Sequence, residues 1–128
     1  MRNIFSVSAK ILRGFKQIEA VYIYGSALKN RNFEDIDFAL ITSGKIKDEQ
    51  KFITDVSLSL EAELKEECDV HLMREFPMHL KYRIISEGKL LFSKDEKETT
   101  WFEAEVLNIF LDFKPTYDWF NAQIINRA

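Results

Sequence analysis

Two short stretches of this chain decide how the rest is interpreted: residues 21–26, with the sequence VYIYGS, and residues 35–37, with the sequence DID. The first is an apolar run that stops at Gly25 and Ser26, which indicates a strand followed by a turn. The second places two carboxylates at alternate positions, so that on a strand both lie on one face, roughly 6–7 Å apart. A glycine turn that opens backbone N–H groups to phosphate, followed by carboxylates that can bind Mg²⁺, predicts a site for a nucleoside triphosphate and its metal ions.

Hydrophobic periodicity predicts that helices and strands alternate along the chain. Helices are expected over residues 4–18, 46–67 and 76–86, and strands over residues 20–24, 35–42, 68–73 and 90–92. One or two helical turns are expected after Ser26, and only eight residues separate Ser26 from Asp35. Because a parallel crossover needs about a dozen residues or more, the sheet is predicted to be mixed.

The end of the chain is predicted to be a helical tail. Residues 94–100 are charged and polar, which favours a linker, and helical spacing of apolar residues resumes from residue 100 until Pro115, which is expected to break the helix. The expected fold class is therefore α+β (two-layer α/β), with a mixed sheet of about four strands flanked by helices. Residues 1–94 would form the domain, and residues 95–128 would form the C-terminal helical tail.

Composition bounds the possible functions. The chain has 128 residues, of which 46% are hydrophobic, enough for one domain with its own core. The net charge of −3 argues against general binding of nucleic acid, which usually needs a basic surface. The single cysteine excludes an intrachain disulfide, and no signal peptide or membrane span is evident, so we expect a cytoplasmic protein that does not enter the membrane.

A third carboxylate, Asp69, is predicted to join Asp35 and Asp37. Asp69 lies in a short apolar strand, where an unpaired charge would be costly, so a specific role is favoured. His71 lies on the same predicted face, and both His71 and His79 are expected to be structural residues. Three carboxylates from two neighbouring strands would complete a site for one or two metal ions.

These motifs resemble a known family. Gly25 and Ser26, a short gap and then DIDF at residues 35–38 are similar to the signature of the polymerase-β-like nucleotidyltransferase superfamily, and the small size resembles its minimal nucleotidyltransferase (MNT) branch. Residues 69–73 resemble the third-carboxylate strand of the family, and residues 83–92 resemble its closing helix and strand. The resemblance covers about residues 18–93 and implies the polymerase-β-like nucleotidyltransferase fold.

The resemblance also implies a reaction. In MNT antitoxins of HEPN/MNT toxin–antitoxin pairs, AMP from ATP is transferred to a tyrosine of the HEPN ribonuclease toxin, which is neutralised, and pyrophosphate leaves. Here Gly25 and Ser26 would hold the triphosphate, Asp35 and Asp37 would bind Mg²⁺, and Asp69 would be the third ligand or the general base.

The loop before Asp35 departs from the common pattern of the family. It is shorter than in many members and carries Lys29 and Arg31 in place of the usual Arg-Gly. These two side chains either neutralise phosphate charge or are solvated loop cations.

Two other functions stay open at this point. The chain could be a binding module that neutralises a toxin by occlusion without catalysis, or a nucleotidyltransferase that acts on a small-molecule acceptor. In the leading interpretation the chain binds ATP and forms a hetero-oligomer with a cognate HEPN-family toxin. No direct binding of nucleic acid is expected. The tail would contribute to the core or to that partner interface, since it is rich in aromatic side chains: Trp101, Phe102, Phe110, Phe113, Tyr117, Trp119 and Phe120.

Overall fold

A computed structural model describes residues 3–25 and 35–127 of the chain, and it describes side chains only as far as residue 112. The helical turns predicted after Ser26 lie outside the described residues. The described part contains four strands, which are β1 (Ile18–Tyr24), β2 (Asp35–Thr42), β3 (Glu67–Leu72) and β4 (Lys89–Ser93). Its helices are α1 (Ile4–Arg13), α2 (Glu49–Leu64), α3 (Met78–Glu87) and α4 (Glu96–Arg127), with a 3₁₀ turn at Met73–Glu75.

The four strands form one mixed sheet in the order β3-β2-β1-β4. Strands β1 and β2 are antiparallel, as are β1 and β4, whereas β2 and β3 are parallel and are connected by α2. A long crossover through a helix is what a parallel pair requires, and the short connection from β1 to β2 suits an antiparallel pair. The predicted mixed sheet and α+β class are therefore confirmed, and β4 lies at the sheet edge.

The two faces of the sheet have different partners. The face that carries Val21, Phe38 and Val70 packs on α1 and α2 in one apolar cluster, which includes Leu12 and Leu60. The opposite face carries Tyr22 and Ala39, which pack with Met73 and with Ile84 of α3. Helix α3 lies over β1 and β4. Its position leaves Asp69 and His71 of β3 exposed.

Several predicted boundaries were wrong, and side-chain caps explain two of them. Helix α2 begins at Glu49 rather than residue 46, because the Asp48 carboxylate accepts a hydrogen bond from the backbone N–H of Lys51. The predicted linker at residues 94–100 is instead the start of α4, where Asp95 accepts hydrogen bonds from the backbone N–H groups of Lys97 and Glu98. Helix α1 ends at Arg13, before Gly14, and not at residue 18.

Helix α4 also continues through Pro115, so the predicted break there was wrong. Proline removes only one backbone hydrogen bond, which a long helix can lose without ending. The first half of α4 packs on α3: the rings of Tyr82 and Phe110 are stacked 3.9 Å apart, and Val106 is buried. Within the described residues, no helix is both long enough and apolar enough to cross a membrane.

Candidate active site

The register between the parallel strands brings the predicted carboxylates together. Asp37 of β2 is paired directly with Asp69 of β3, and Asp35 lies two residues earlier on the same face of β2. One carboxylate oxygen from each of the three residues lies within 4.8 Å of the others. Asp35 and Asp37 are half-buried and Asp69 is exposed, so the cluster opens toward solvent. Asp35, Asp37 and Asp69 therefore meet as the sequence predicted.

Gly25 holds the end of β1 against this cluster. Tyr24 is paired with Asp37, and Gly25 follows with a φ of 85°, a conformation that side chains disfavour. A β-carbon at residue 25 would overlap the Oδ2 atom of Asp37. Gly25 is therefore close to the metal-ligating candidates, as the sequence predicted. The other predicted nucleotide-binding residues, Ser26, Lys29 and Arg31, lie outside the described residues.

Among the described residues, the three aspartates repel one another, and the charge of His71 opposes this repulsion only as a lesser influence on Asp37 and Asp69. Burial, followed by the charges of Asp35 and Asp69, raises the pKa of Asp37. A hydrogen bond to Asp35, followed by burial and the charge of Asp35, raises the pKa of Asp69. Among the described residues, no lysine or arginine forms an ion pair with any of the three. Three hard oxygen donors that repel one another fit a divalent cation such as Mg²⁺.

An aromatic wall borders the carboxylates, and the sequence prediction missed it. We use this name for Tyr24, Phe76 and His71: the Tyr24 and Phe76 rings meet edge to face at 6.1 Å, and the His71 and Phe76 rings are 5.5 Å apart. Burial, then the charges of the three aspartates, raises the pKa of Tyr24 to about 12. The Tyr24 hydroxyl therefore stays protonated at neutral pH and can donate a hydrogen bond. Its position directly before Gly25 was the signal available in the sequence.

A cavity of about 280 Å³ lies beyond Gly25, between the end of β1 and helix α3. Its lining consists of Tyr24, Gly25, Leu80, Arg83, Ile84, Glu87 and Gly88. The helix end approaches β1 closely at Gly88, where a β-carbon would lie 2.9 Å from the Ile23 carbonyl oxygen. Gly25 lines the cavity and also lies beside the Asp37 carboxylate, so the cavity adjoins the carboxylate cluster.

The fold and this site define a class of protein, and a family comparison agrees with it. The chain belongs to the polymerase β nucleotidyltransferase family, whose model matches residues 8–97. This match includes β1, the carboxylate pair of β2, Asp69 and α3. A search among curated proteins finds no match.

Solved structures share the fold at low sequence identity. One is a mutant form of the toxin–antitoxin pair MntA–HpeT, with a TM-score of 0.76 and 14% identity over 97% of this chain and 99% of the other. A second is a toxin–antitoxin structure with AMP-PNP, with a TM-score of 0.74 and 17% identity over 97% and 99%.

A third solved structure is a tri-AMPylated Shewanella oneidensis HEPN toxin in complex with an MNT antitoxin, with a TM-score of 0.72 and 15% identity over 95% and 96%. At these identities the likeness establishes the polymerase-β-like fold over nearly the whole chain, α4 included.

Proposed function

We propose that this chain is a metal-dependent nucleotidyltransferase that transfers AMP from ATP to a tyrosine of a cognate HEPN-family toxin and thereby acts as its antitoxin. The observation that carries the proposal is the meeting of Asp35, Asp37 and Asp69 within 4.8 Å beside Gly25. A module that binds its partner only by shape needs no such concentration of negative charge. Family membership supports nucleotidyl transfer, and similarity of fold to MntA-containing complexes supports the antitoxin role.

Each residue of the site has a defined task in this proposal. Asp35, Asp37 and Asp69 would hold Mg²⁺, with Gly25 keeping the backbone clear of the Asp37 carboxylate. Bound Mg²⁺ supplies positive charge that neutralises phosphate oxygens and stabilises the charge of a phosphoryl displacement. The Gly25 turn, with Ser26 after it, would contact the phosphates through N–H and hydroxyl donors.

The reaction forms one bond and breaks another at the α-phosphorus of ATP. The acceptor tyrosine oxygen forms a bond to the α-phosphorus. The bond between the α-phosphorus and the oxygen that bridges it to the β-phosphate breaks, and pyrophosphate leaves. Asp69 is suited to accept the proton of the tyrosine hydroxyl, since it is the most exposed of the three carboxylates. Placement of the acceptor on the exposed β3 side of the cluster follows from this assignment.

The partner is expected to contact α4. The side chains of Trp101, Leu107 and Leu111 are large, apolar and exposed on this helix, which is unusual for a helix that also contributes to the core. We define these three residues as the α4 outer face. The division into a domain over 1–94 and a partner-binding tail over 95–128 stays a prediction, as does the cytoplasmic location.

The test is transfer of label from ATP that is radioactive at the α-phosphate. Wild type, an Asp35→Asn/Asp37→Asn double variant and Asp55→Asn are incubated with Mg²⁺ and a candidate HEPN-family toxin. Asp55 is an exposed aspartate of α2, so Asp55→Asn serves as the matched control. The proposal predicts label on the toxin, and loss of its ribonuclease activity, with wild type and Asp55→Asn only. Neutralisation by all three proteins without label would instead establish inhibition by occlusion and contradict the enzyme.

A further inference from the structure

Acidic side chains border the α4 outer face on both sides, and this arrangement defines the chemistry of the partner that can cover it. We infer that the α4 outer face binds a basic amphipathic helix, whose apolar side chains cover Trp101, Leu107 and Leu111 while its lysines and arginines face the acidic side chains. This inference rests on the proposed function, because the helix would belong to the toxin proposed there. It assigns the kind of toxin surface that α4 contacts.

The acidic residues of α4 form two rows along the helix. Residues seven positions apart lie on nearly the same side of an α-helix, which has about 3.6 residues per turn. We call the two rows the acidic margins: one contains Glu96 and Glu103, and the other contains Glu98, Glu105 and Asp112. Residues 97, 104 and 111, which also lie seven positions apart, run between the two margins. The apolar surface is therefore bordered by carboxylates on each side.

The charge of the acidic margins is not balanced by basic residues of the same stretch. Between residues 96 and 112, five carboxylates and the single cation Lys97 leave a net charge of −4. In the part of the chain that the structure describes, no lysine or arginine forms an ion pair with these carboxylates. A partner with basic side chains at matching positions would supply the missing charge, and complementary charge favours the correct partner over others.

The same charge argues against three other occupants of this surface. If two copies of the chain paired through α4, their acidic margins would face each other, and like charges across an interface are unfavourable. A helix that lies on an anionic membrane surface carries lysine and arginine on its polar side, which the margins lack. Nucleic acid would be repelled by the carboxylates, because its phosphates are negative. A basic protein surface is the occupant that remains.

The shape of the surface suits a helix. Three adjoining depressions lie along α4, and Ala104 borders all of them. The largest, of about 440 Å³, lies between α3 and α4. A small residue between the larger Trp101 and Leu107 lets a second helix approach closely and place its side chains in the depressions. From Trp101 to Leu111 the face is roughly 15 Å long, which corresponds to about three turns of a partner helix.

Surface plasmon resonance with an immobilised candidate HEPN-family toxin tests this inference. Glu105→Lys reverses one charge of an acidic margin, and Ala104→Phe fills the space between the larger side chains. Both substituted residues are exposed, so the variants are expected to fold, and denaturant unfolding verifies this. Asp55→Lys is the matched control, because Asp55 is an exposed aspartate of α2.

The expected result is a loss of toxin affinity on the order of tenfold in Glu105→Lys and in Ala104→Phe, with Asp55→Lys binding as wild type does. Wild-type affinity should fall when NaCl is raised from about 0.05 M to about 0.5 M, because salt screens exposed charges. Hydrogen exchange on the toxin should show protection of one helix that carries lysine or arginine. Sedimentation of this chain alone should show a monomer.

Several results would overturn the inference. Wild-type toxin affinity in Glu105→Lys or in Ala104→Phe would do so, as would a wild-type affinity that does not change with salt. Protection of an acidic or non-helical toxin segment would show that the partner surface is of another kind. A dimer of this chain that Trp101→Ala converts to a monomer would show that a second copy covers the α4 outer face.

The failure of this inference and the failure of the proposed function can be told apart. If wild type labels the toxin while Glu105→Lys and Ala104→Phe bind it as wild type does, the basic helix is wrong and the enzyme stands. If wild type neither binds nor labels the toxin, the proposed function fails and the inference fails with it.

Discussion

Gly25 and the Asp37 carboxylate lie so close together that a β-carbon on residue 25 would overlap the Oδ2 atom of Asp37. Gly25 of the first stretch and Asp37, the second carboxylate of the second stretch, thus lie side by side, because β1 and β2 are antiparallel and Tyr24 pairs with Asp37. The expected phosphate-binding turn therefore lies directly beside the expected metal ligands.

Replacement of Gly25 by alanine is expected to displace the Asp37 carboxylate. Gly44 provides the matched control, since its φ of 71° is also positive but nothing lies within 4 Å of an added β-carbon. Both variants should lose about 1–2 kcal/mol of unfolding free energy from backbone strain. Only Gly25→Ala should also weaken Mn²⁺ binding, by about tenfold. Equal Mn²⁺ affinities of the two variants in titration calorimetry would show that the contact with Asp37 has no role in the site.

Neutralising Asp37 is expected to stabilise the metal-free protein. The folded-state pKa of Asp37 is raised above its ordinary value of 3.8, so the folded protein binds protons more readily than the unfolded chain does. Burial of the ionised Asp37 carboxylate, followed by its repulsion from Asp35 and Asp69, therefore destabilises the fold at pH values above the raised pKa. This penalty disappears as the pH falls through that pKa toward 3.8.

Denaturant unfolding in the presence of a chelator measures this effect. At pH 7, Asp37→Asn should be more stable than wild type by about 0.5–1 kcal/mol, the size of an exposed charge–charge interaction. The advantage should vanish in acid, and Asp55→Asn, an exposed aspartate of α2, should show no comparable gain. A metal-free Asp37→Asn protein that is less stable than wild type at pH 7 would contradict the repulsion described for the cluster.

Two substitutions in helix α4 are expected to differ in effect, because one should reduce stability and the other should weaken partner binding. Val106 is 3% exposed and Trp101 is 72% exposed. Val106→Ala should reduce the unfolding free energy by about 1–3 kcal/mol through loss of core packing. Trp101→Ala should change stability by no more than about 0.5 kcal/mol, as is usual for surface substitutions, yet weaken binding of the HEPN-family toxin. Unchanged toxin affinity of Trp101→Ala in surface plasmon resonance would exclude the α4 outer face from the interface.

The sequence was sufficient for the strands and for the identity of the carboxylates, because both depend on local patterns. Alternation in β2 places Asp35 and Asp37 on one face whatever the strand pairs with. The mixed sheet followed from the short connection between Ser26 and Asp35, which cannot hold a parallel crossover. Asp69 was picked out by its charge in an apolar run, but it lies on the exposed face of β3, so the expected cost of an unpaired buried charge does not apply there.

The remaining features depend on tertiary contacts that a single sequence does not encode locally. The pairing of Asp37 with Asp69 requires the register that α2 imposes on β3, and the contact of Phe76 with Tyr24 requires the position of the segment before α3. The start of α4 was missed because residues 94–100 are as polar as a linker, although Asp95 caps the helix there. The cavity between β1 and α3 was not predicted, because it exists only once the helix packs on the sheet.

The proposed function requires that Asp35, Asp37 and Asp69 bind a divalent cation jointly. Calorimetric titration of Mn²⁺ in the presence of ATP measures this binding directly. Wild type and Asp55→Asn should bind the cation with equal affinity, and Asp35→Asn, Asp37→Asn and Asp69→Asn should each bind it at least about tenfold more weakly, since each removes one charged ligand. The same Mn²⁺ affinity in wild type and in all three site variants would contradict the proposed metal site.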